Sequence, residues 1–210
     1  MTARLLYVMD PMCSWCWGFA PVLEALARQA AEAGVPLALV AGGLRRESAA
    51  LAGPARETIF GHWRAVQAGT GQAFNFAEGL PEGLVYDTEP ACRALVTARS
   101  LDPTLVWPLA RRIHEAFYLE GRDVGQVRVL LELAEAVGLP KQAFAEAFDS
   151  DAQRAATQAD FAWAERLGIA GFPTLLAERN GMLSLLTNGY QPLERLAPLL
   201  GRWLGHAVDA

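Results

Sequence analysis

Residues 10–19 of the 210-residue chain read DPMCSWCWGF, and this stretch holds Cys13 and Cys16, two of the three cysteines. A short apolar run, residues 4–9, precedes it and is typical of a buried strand. A helical pattern follows, from Cys13 to about residue 33. Two cysteines at positions i and i+3 at the start of a helix lie on one face about 5 to 6 Å apart, which a disulfide can span. The stretch therefore predicts a redox-active pair where a strand turns into a helix.

The position of Cys13 favours a reactive thiolate. Free backbone N–H groups and the positive end of the helix dipole stabilise a negative sulfur there, so we expect the pKa of Cys13 to lie below about 8.5. Cys13 is then the attacking group at neutral pH. Cys16, one turn further into the helix, is expected to stay protonated until it attacks Cys13 and resolves a mixed disulfide.

Two alternatives to a redox pair remain open at this point. A zinc site needs about four ligands, but the sequence has no second cysteine pair, and His62, His114 and His206 are scattered singly. We therefore expect no metal. A pair of inert core cysteines is the other alternative, because cysteine is often buried, although the strand-to-helix setting disfavours it.

Two further residues have ordinary structural interpretations. Cys92, alone at an apolar helix start, is expected to be a core residue, or an alternative disulfide partner if it lies near the pair. For His114, a satisfied surface or core position is a better interpretation than a catalytic base.

Composition excludes several classes of protein. Hydrophobic residues make up 52% of the chain and charged residues 20%, which is unlike a disordered chain. Three cysteines are too few for a disulfide-stapled framework. The net charge of -5 argues against nucleic acid or an anionic membrane as a partner. Since the sequence has no secretory signal pattern and no run of about 18 apolar residues, we expect a cytoplasmic protein without a membrane partner.

The order of elements predicts an interrupted α/β fold. A second apolar run at residues 37–41 completes a strand–helix–strand unit, whose strands are expected to be parallel. Helical spacing dominates the middle of the chain. Strand patterns return at 174–177 and 183–186 around a turn, and a final helix is expected from Pro192. The prediction is one α/β domain, residues 1–44 plus 169–210, split by an all-helical insertion, residues 45–168.

The second chemical signal is the sequence Gly171-Phe172-Pro173-Thr174. A proline that leads into a strand, after a glycine that permits close approach, is a candidate cis proline, although only about 5% of such bonds are cis. Taken alone, an ordinary loop proline would be the better interpretation. Together with the cysteine pair about 155 residues earlier, the cis interpretation is favoured.

These motifs together resemble a known family. With residues 10–19 and 171–174, the stretches 88–94 (TEPACRA) and 115–118 (EAFY) with Asp123 occur in the order found in the DsbA-like branch of the thioredoxin superfamily, particularly its FrnE-like predicted disulfide isomerases. The resemblance implies a thioredoxin fold interrupted by a helical domain. It also implies that cis Pro173 packs against the cysteines and keeps metal away, and that the backbone of Phe172 binds an extended substrate segment.

The chain departs from that family pattern at two places. Such enzymes often carry a buried acid six positions before the first cysteine, but here Tyr7 occupies that position. Asp10 or water is then the expected substitute as proton acceptor for Cys16. The Ser14-Trp15 dipeptide differs from the Pro-His of strongly oxidising periplasmic enzymes, so strong oxidant behaviour is not implied.

Several residues around the motif are assigned supporting or binding roles. Trp15 is expected to be exposed and to contact substrate, whereas Trp17 and Phe19 are expected to pack inside. Ser14 and Thr174 are expected to support the site. Arg45 and Arg46, after the second predicted strand, could meet a carboxylate ligand, but solvated loop charges are the better interpretation.

The function that these residues favour is thiol–disulfide exchange, as an oxidoreductase or a protein disulfide isomerase. Substrates would be protein or small-molecule disulfides or dithiols. No bound cofactor is needed, and glutathione is a candidate reductant or co-substrate. Kappa-class transferases and hydroxychromene carboxylate isomerases share the split fold, but they typically have serine at the position of Cys13. A non-enzymatic adaptor with a thioredoxin-like fold is the third alternative.

Overall fold

The N-terminal part follows the predicted strand–helix–strand order. The computed structural model describes residues 3–205. Strand β1 spans Ala3–Met9, helix α1 Ser14–Glu32 and strand β2 Leu37–Ala41. β1 and β2 are parallel neighbours, so the predicted parallel pairing is confirmed.

A long segment of helices follows β2. Its elements are, in chain order, β3 (Arg46–Ala50), α2 (Gly53–Thr70), β4 (Val85–Asp87), α3 (Glu89–Leu101), a 3-10 helix (Pro103–Leu105), α4 (Val106–Tyr118), α5 (Val127–Ala136), α6 (Lys141–Phe148) and α7 (Asp151–Arg166). The prediction that residues 45–168 are all helical needs one correction, since β3 and β4 form a two-stranded antiparallel ribbon. All five residues of β3 are exposed, so no alternation of apolar and polar residues marks this strand in the sequence.

The chain then returns to the main sheet. Strand β5 spans Thr174–Arg179, strand β6 spans Met182–Asn188, and helix α8 spans Leu193–Gly205. The predicted hairpin is confirmed, and both residues of its turn, Asn180 and Gly181, have positive φ, as in the type I′ turn that suits antiparallel strands. The sheet order is β2-β1-β5-β6, with β5 antiparallel to β1.

One hydrophobic core joins the sheet to the helical segment. It contains Leu5 and Leu175 from the sheet, Leu23 from α1, Trp63 from α2 and Phe117 from α4. The α/β part and the insertion share this core. The predicted domain boundaries after residues 44 and 168 therefore stay a prediction. Within residues 3–205, no helix is both long and apolar enough to span a membrane. His206 lies outside the described residues.

Candidate active site

The turn between β1 and α1 sets the position of the cysteine pair. β1 ends at Met9, and the backbone N–H of Cys13 donates to the carbonyl of Asp10 at 3.0 Å, which closes the turn. Cys13 has extended backbone geometry and precedes the helix. Its own carbonyl accepts hydrogen bonds from the N–H groups of Cys16 and Trp17, at 2.9 and 3.2 Å. Cys13 thus immediately precedes the helix, and Cys16 lies in the first turn of the helix.

The two thiols differ in their surroundings. Cys13 is 6% exposed and Cys16 is 0% exposed, and both are free thiols. Burial raises the pKa of Cys16 well above its ordinary value, and its hydrogen bond to Cys13 and the charge of that sulfur raise it further. The neighbouring Asp10 backbone and Tyr7 side chain oppose this rise. Cys16 is therefore a protonated thiol at neutral pH.

The loop before β5 lies against Cys13. The peptide bond between Phe172 and Pro173 is cis, as the sequence motif favoured. The Cys13 thiol donates to the carbonyl oxygen of Phe172 at 3.5 Å, and Pro173 itself is buried. The loop thus presents a backbone acceptor directly beside the accessible sulfur.

Two polar contacts and one close approach hold this loop in place. The hydroxyl of Thr174 lies 2.9 Å from the Gly171 carbonyl oxygen and 3.1 Å from the side-chain oxygen of Asn188. A Cβ atom at Gly42 would lie 2.2 Å from the Phe172 ring. Only glycine at position 42 leaves room for that ring, so the loop after β2 and the cis-proline loop fit closely together.

Asp10 links three parts of the chain behind the cysteine turn. Its side chain is completely buried. One oxygen accepts from the Met12 N–H at 2.8 Å, and the other accepts from the Leu44 N–H at 2.7 Å and the Thr88 hydroxyl at 2.5 Å. Burial raises the pKa of Asp10, and these hydrogen bonds lower it. Asp10 therefore supports the site by fixing the turn to the loop after β2 and to the start of α3.

The Asp10 side chain accepts from the backbone of Met12 and Leu44 and from the Thr88 hydroxyl. Whether Asp10 or water accepts the proton of Cys16 stays a prediction. Cys92 is buried in the core, as predicted, and its thiol lies 3.4 Å from an Asp10 oxygen. Burial raises the pKa of Cys92 well above its ordinary value, so it is a protonated thiol as well.

A pocket of about 260 Å³ opens beside Cys13. It is formed by the cysteine turn, the loop after β2, the insertion and the cis-proline loop; its lining residues are Met12, Cys13, Ser14, Trp15, Leu44, Arg45, Ile59, His62, Trp63, Tyr86, Gly171 and Phe172. Arg45 and His62 are its basic members, and none of these lining residues is acidic. The Arg45 guanidinium lies over the ring of Tyr86, 5.3 Å from its centroid. The pocket suits an anionic group next to the Cys13 sulfur.

The aromatic residues of the motif differ in burial: the predicted burial of Trp17 and Phe19 is confirmed, but Trp15 is less exposed than predicted. Trp17 and Phe19 are buried, whereas Trp15 is half-buried and lines the pocket. The ring of Trp15 packs against Tyr190, with centroids 5.9 Å apart. Ser14 is half-buried and lines the pocket beside it.

His114 does not lie in this pocket. It is completely buried, and neither ring nitrogen has a hydrogen-bond partner among the described residues. Burial lowers the pKa of His114 to about 3. Its ring packs against Trp17 with centroids 5.8 Å apart. His114 is thus a neutral core residue, but it is not satisfied by hydrogen bonds as the sequence interpretation supposed.

Sequence reasoning missed the contribution of the insertion to the pocket. Ile59 and Trp63 have the spacing of one helix face, but nothing in that spacing indicates that α2 reaches the cysteines. His62 lies between them and Tyr86 lies on β4, and no sequence motif marks either residue as part of a site. Arg45, for which a carboxylate ligand was the less favoured interpretation, lines the pocket and keeps 38% of its side chain exposed. Within residues 3–205, no group of three or more His, Cys, Asp or Glu side chains is placed to hold a metal ion.

Comparison with known sequences and structures extends this description. Residues 4–201 match the profile of the DSBA-like thioredoxin domain family. No curated protein matches the chain by sequence. A candidate protein disulfide isomerase from Nitrosomonas europaea is 41% identical, with a TM-score of 0.90 over 98% of this chain and 99% of that one.

Two further solved structures are informative. The cytosolic disulfide reductase DsbM from Pseudomonas aeruginosa is 33% identical, with a TM-score of 0.79 over 95% of this chain and 98% of that one. That enzyme has also been solved with GSH, and this form has a TM-score of 0.78 to the present chain. A 2-hydroxychromene-2-carboxylate isomerase has a TM-score of 0.66 at 14% identity, over 98% of each chain, which is similarity of fold alone.

Proposed function

The chain belongs to the DSBA-like thioredoxin domain family, and from this premise we propose that it is a disulfide reductase that uses Cys13 and Cys16. The observation that carries the proposal is the asymmetry of the pair. Cys13 opens on a pocket beside the carbonyl of Phe172, whereas Cys16 is buried directly behind it. One sulfur can therefore meet a substrate while the other is held back for the second step.

The proposed reaction has two exchange steps. The Cys13 thiolate attacks one sulfur of a substrate disulfide, so that a Cys13–substrate disulfide forms and the first substrate thiol leaves with a proton. Cys16 then loses its proton and attacks the Cys13 sulfur. The Cys13–Cys16 disulfide forms, the second substrate thiol leaves, and two electrons have passed to the substrate.

The surroundings support this order of events. In the resting dithiol the Phe172 carbonyl accepts from the Cys13 thiol, and it becomes free for a substrate N–H once Cys13 is bonded to the substrate. Trp15 provides an apolar wall beside the same sulfur. A buried Cys16 reaches Cys13 but not solvent, which limits its reactions to the intramolecular one.

Glutathione is the thiol that we propose resets the pair. The pocket beside Cys13 is lined by Arg45 and His62 and by no acidic side chain. Basic side chains without a neighbouring acid can bind the carboxylates of glutathione, which is a tripeptide. At about 260 Å³, it is smaller than the roughly 300 to 1,000 Å³ of enclosed ligand sites, so it would surround the cysteine end and leave the rest in solvent. The similar DsbM was solved with GSH. A cytoplasmic location fits the proposal, because thiols are kept reduced there.

Catalysed reduction of a disulfide substrate tests the proposal. The purified protein should accelerate the reduction of insulin or glutathione disulfide by a thiol reductant. Cys13→Ser and Cys16→Ser should each abolish this acceleration, whereas Cys92→Ser, which keeps a donor toward Asp10, should retain it. A wild-type protein that accelerates neither reaction, or a Cys13→Ser variant of full activity, contradicts the proposal.

A further inference from the structure

Tyr86 connects the insertion to the cysteine turn. It is the middle residue of the three-residue strand β4, and it is 4% exposed, whereas Val85 is exposed and Asp87 is half-buried. Side chains alternate between the two faces of a strand, so Tyr86 points away from the face that its two neighbours share. Its hydroxyl donates to the Met12 carbonyl oxygen at 2.6 Å. The insertion thus holds a backbone group of the residue directly before Cys13.

The peptide group between Met12 and Cys13 is held from both sides. Its carbonyl accepts from the Tyr86 hydroxyl, and its N–H, which belongs to Cys13, donates to the Asp10 carbonyl at 3.0 Å. In a trans peptide the C=O and the N–H point in opposite directions within one plane. These two hydrogen bonds therefore fix the plane, and with it the point from which the Cys13 side chain leaves the backbone.

The Met12 carbonyl has no second partner among the described residues. The first N–H groups of α1 that form hydrogen bonds, those of Cys16 and Trp17, donate to the Cys13 carbonyl instead. Met12 is 0% exposed, and a buried carbonyl without a donor is unfavourable. Without the Tyr86 hydroxyl, we expect this carbonyl to turn toward solvent in the pocket that Met12 and Cys13 both line. The negative end of the peptide group would then face the Cys13 sulfur and disfavour its thiolate.

We propose that Tyr86 is a positioning residue for the first exchange step, whose hydroxyl keeps the Met12 carbonyl turned away from the Cys13 sulfur. The inference rests on the proposed function. In that step the Cys13 thiolate attacks a substrate sulfur, the Cys13–substrate bond forms, and the substrate disulfide breaks with its electron pair on the departing sulfur. Tyr86 takes no part in this exchange of bonds and keeps its proton, since burial raises its pKa.

The substitution Tyr86→Phe removes the hydroxyl and leaves the other groups around Cys13 in place. Besides Tyr86, the charged and titratable residues around this cysteine are Tyr7, Asp10, Cys16, Arg45, His62 and Tyr118. The variant retains all six. It also retains the ring over which the Arg45 guanidinium lies, 5.3 Å from the centroid. A changed reactivity of Cys13 would therefore follow from the hydroxyl rather than from a lost charge.

The matched control is Tyr118→Phe. Both tyrosine rings pack against Phe117, with centroid distances of 5.0 Å for Tyr118 and 6.1 Å for Tyr86. Tyr118 is 0% exposed, and its hydroxyl has no hydrogen-bond partner among the described residues. The control thus also removes a buried hydroxyl from this aromatic cluster, but it frees no backbone carbonyl.

The pH dependence of Cys13 alkylation by iodoacetamide tests the inference, because the thiolate is the reacting form. Site-resolved mass spectrometry would give the rate from about pH 4 to about pH 10. If Tyr86→Phe shifts the midpoint of this profile upward by about half a unit, the thiolate fraction below the midpoint falls about threefold. The greater nucleophilicity of a more basic thiolate restores part of this loss, which leaves about twofold slower alkylation.

The expected change is confined to the lower part of the pH range. Where Cys13 is fully ionised in both proteins, the rate in Tyr86→Phe should equal or slightly exceed that of the wild type. The pH profile of kcat/KM for the reduction of glutathione disulfide should show the same upward shift. Tyr118→Phe should follow the wild type in both measurements.

Three results overturn the role of Tyr86. They are a Tyr86→Phe profile that superimposes on that of the wild type, a rate lowered by the same factor at every pH, which indicates general damage, and an equal upward shift in Tyr118→Phe. A wild type that is alkylated at Cys13 but reduces no disulfide overturns the proposed function instead.

A second variant covers the case in which Tyr86→Phe fails to fold. Fluorotyrosine at position 86 keeps the ring and makes the hydroxyl a stronger donor to the Met12 carbonyl. The alkylation profile of Cys13 should then shift to lower pH, and an unshifted profile overturns the inference.

Discussion

The Cys13 thiol donates a hydrogen bond of 3.5 Å to the Phe172 carbonyl oxygen across 159 positions of the chain. The main sheet makes this contact, because β1 and β5 are neighbours and Val8 lies opposite Thr174. The cysteine turn and the cis-proline loop leave the same end of these two strands. Any substrate that reaches the sulfur of Cys13 therefore meets the backbone of Phe172.

The burial of the three thiols predicts a selective alkylation pattern. At neutral pH, iodoacetamide should modify Cys13 and leave Cys16 and Cys92 unmodified in the native protein. A raised pKa means less thiolate at a given pH, and both Cys16 and Cys92 have raised values because they are buried. Peptide mass spectrometry after timed labelling measures this. Modification of Cys16 or Cys92 as fast as that of Cys13 would contradict the description of the site.

His114 predicts an acid-sensitive fold. Its pKa is lowered to about 3, whereas an unfolded histidine titrates at about 6.5. Between these two pH values His114 is protonated in the unfolded chain and neutral in the folded chain. Its contribution to the free energy of unfolding is therefore present above about pH 6.5 and is lost as the pH falls toward 3. From pH 7 to pH 5 the loss is about 2 kcal/mol.

Denaturant unfolding of His114→Phe tests the acid sensitivity. The variant keeps a ring against Trp17 and should remove most of the loss between pH 7 and pH 5. His62→Gln changes an exposed histidine and should leave the loss as it is in the wild type. An unchanged pH dependence in His114→Phe would show that other groups cause it.

Asp10→Asn should destabilise the protein. The substitution places an amide N–H₂ group among the N–H groups and the hydroxyl that now donate to the carboxylate. A buried donor facing donors costs about 1 to 3 kcal/mol, which denaturant unfolding would detect. Glu57→Gln, at an exposed position within α2, should change the free energy of unfolding by less than about 0.5 kcal/mol. Equal stability of the two variants would argue against the supporting role of Asp10.

Gly42→Ala should disturb the cis-proline loop. The new methyl group would lie 2.2 Å from the Phe172 ring, so the ring must move, and overpacking of this kind costs about 1 to 3 kcal/mol. We expect lower kcat/KM for disulfide reduction together with a lower free energy of unfolding. The matched control is Gly53→Ala, because a Cβ at Gly53 meets nothing within 4 Å. Wild-type kinetics in Gly42→Ala would mean that the position of the ring does not matter to substrates.

Arg45→Gln tests the preference for anionic substrates. A partly exposed charge pair contributes about 0.2 to 1 kcal/mol, so KM for glutathione disulfide should rise up to about fivefold. KM for uncharged hydroxyethyl disulfide should stay the same. Arg128→Gln removes a well-exposed charge on α5, 86% exposed, and serves as the control. Equal effects of Arg45→Gln on both substrates would contradict charge recognition.

The sequence predicted the parts of the site that depend on local pattern. The Cys13 turn, the parallel β1 and β2 and the β5–β6 hairpin follow from apolar periodicity and turn residues. Thr88 precedes Glu89-Pro90, a sequence typical of a helix start, but its hydroxyl binds Asp10 rather than the helix N-terminus. Local pattern cannot show that preference, because the two residues are 78 positions apart.

The remaining features depend on tertiary contacts. His62 and Tyr86 meet Cys13 only because α2 and β4 pack over the cysteine turn. The exposed residues of β3 carry no strand signal of their own. Tyr7 was visible in the sequence as the residue in place of a buried acid, but its burial against Phe19 required the packing of β1 beneath α1.

Mass spectrometry of the protein after stoichiometric reaction with glutathione disulfide shows directly whether Cys13 attacks the substrate and Cys16 resolves the mixed disulfide. We expect the wild type to end with an internal Cys13–Cys16 disulfide and to release two molecules of glutathione. Cys16→Ser should stop at one glutathione attached to Cys13, removable by reductant. An unreacted wild type, or an adduct on Cys92 in place of Cys13, would contradict this two-cysteine mechanism.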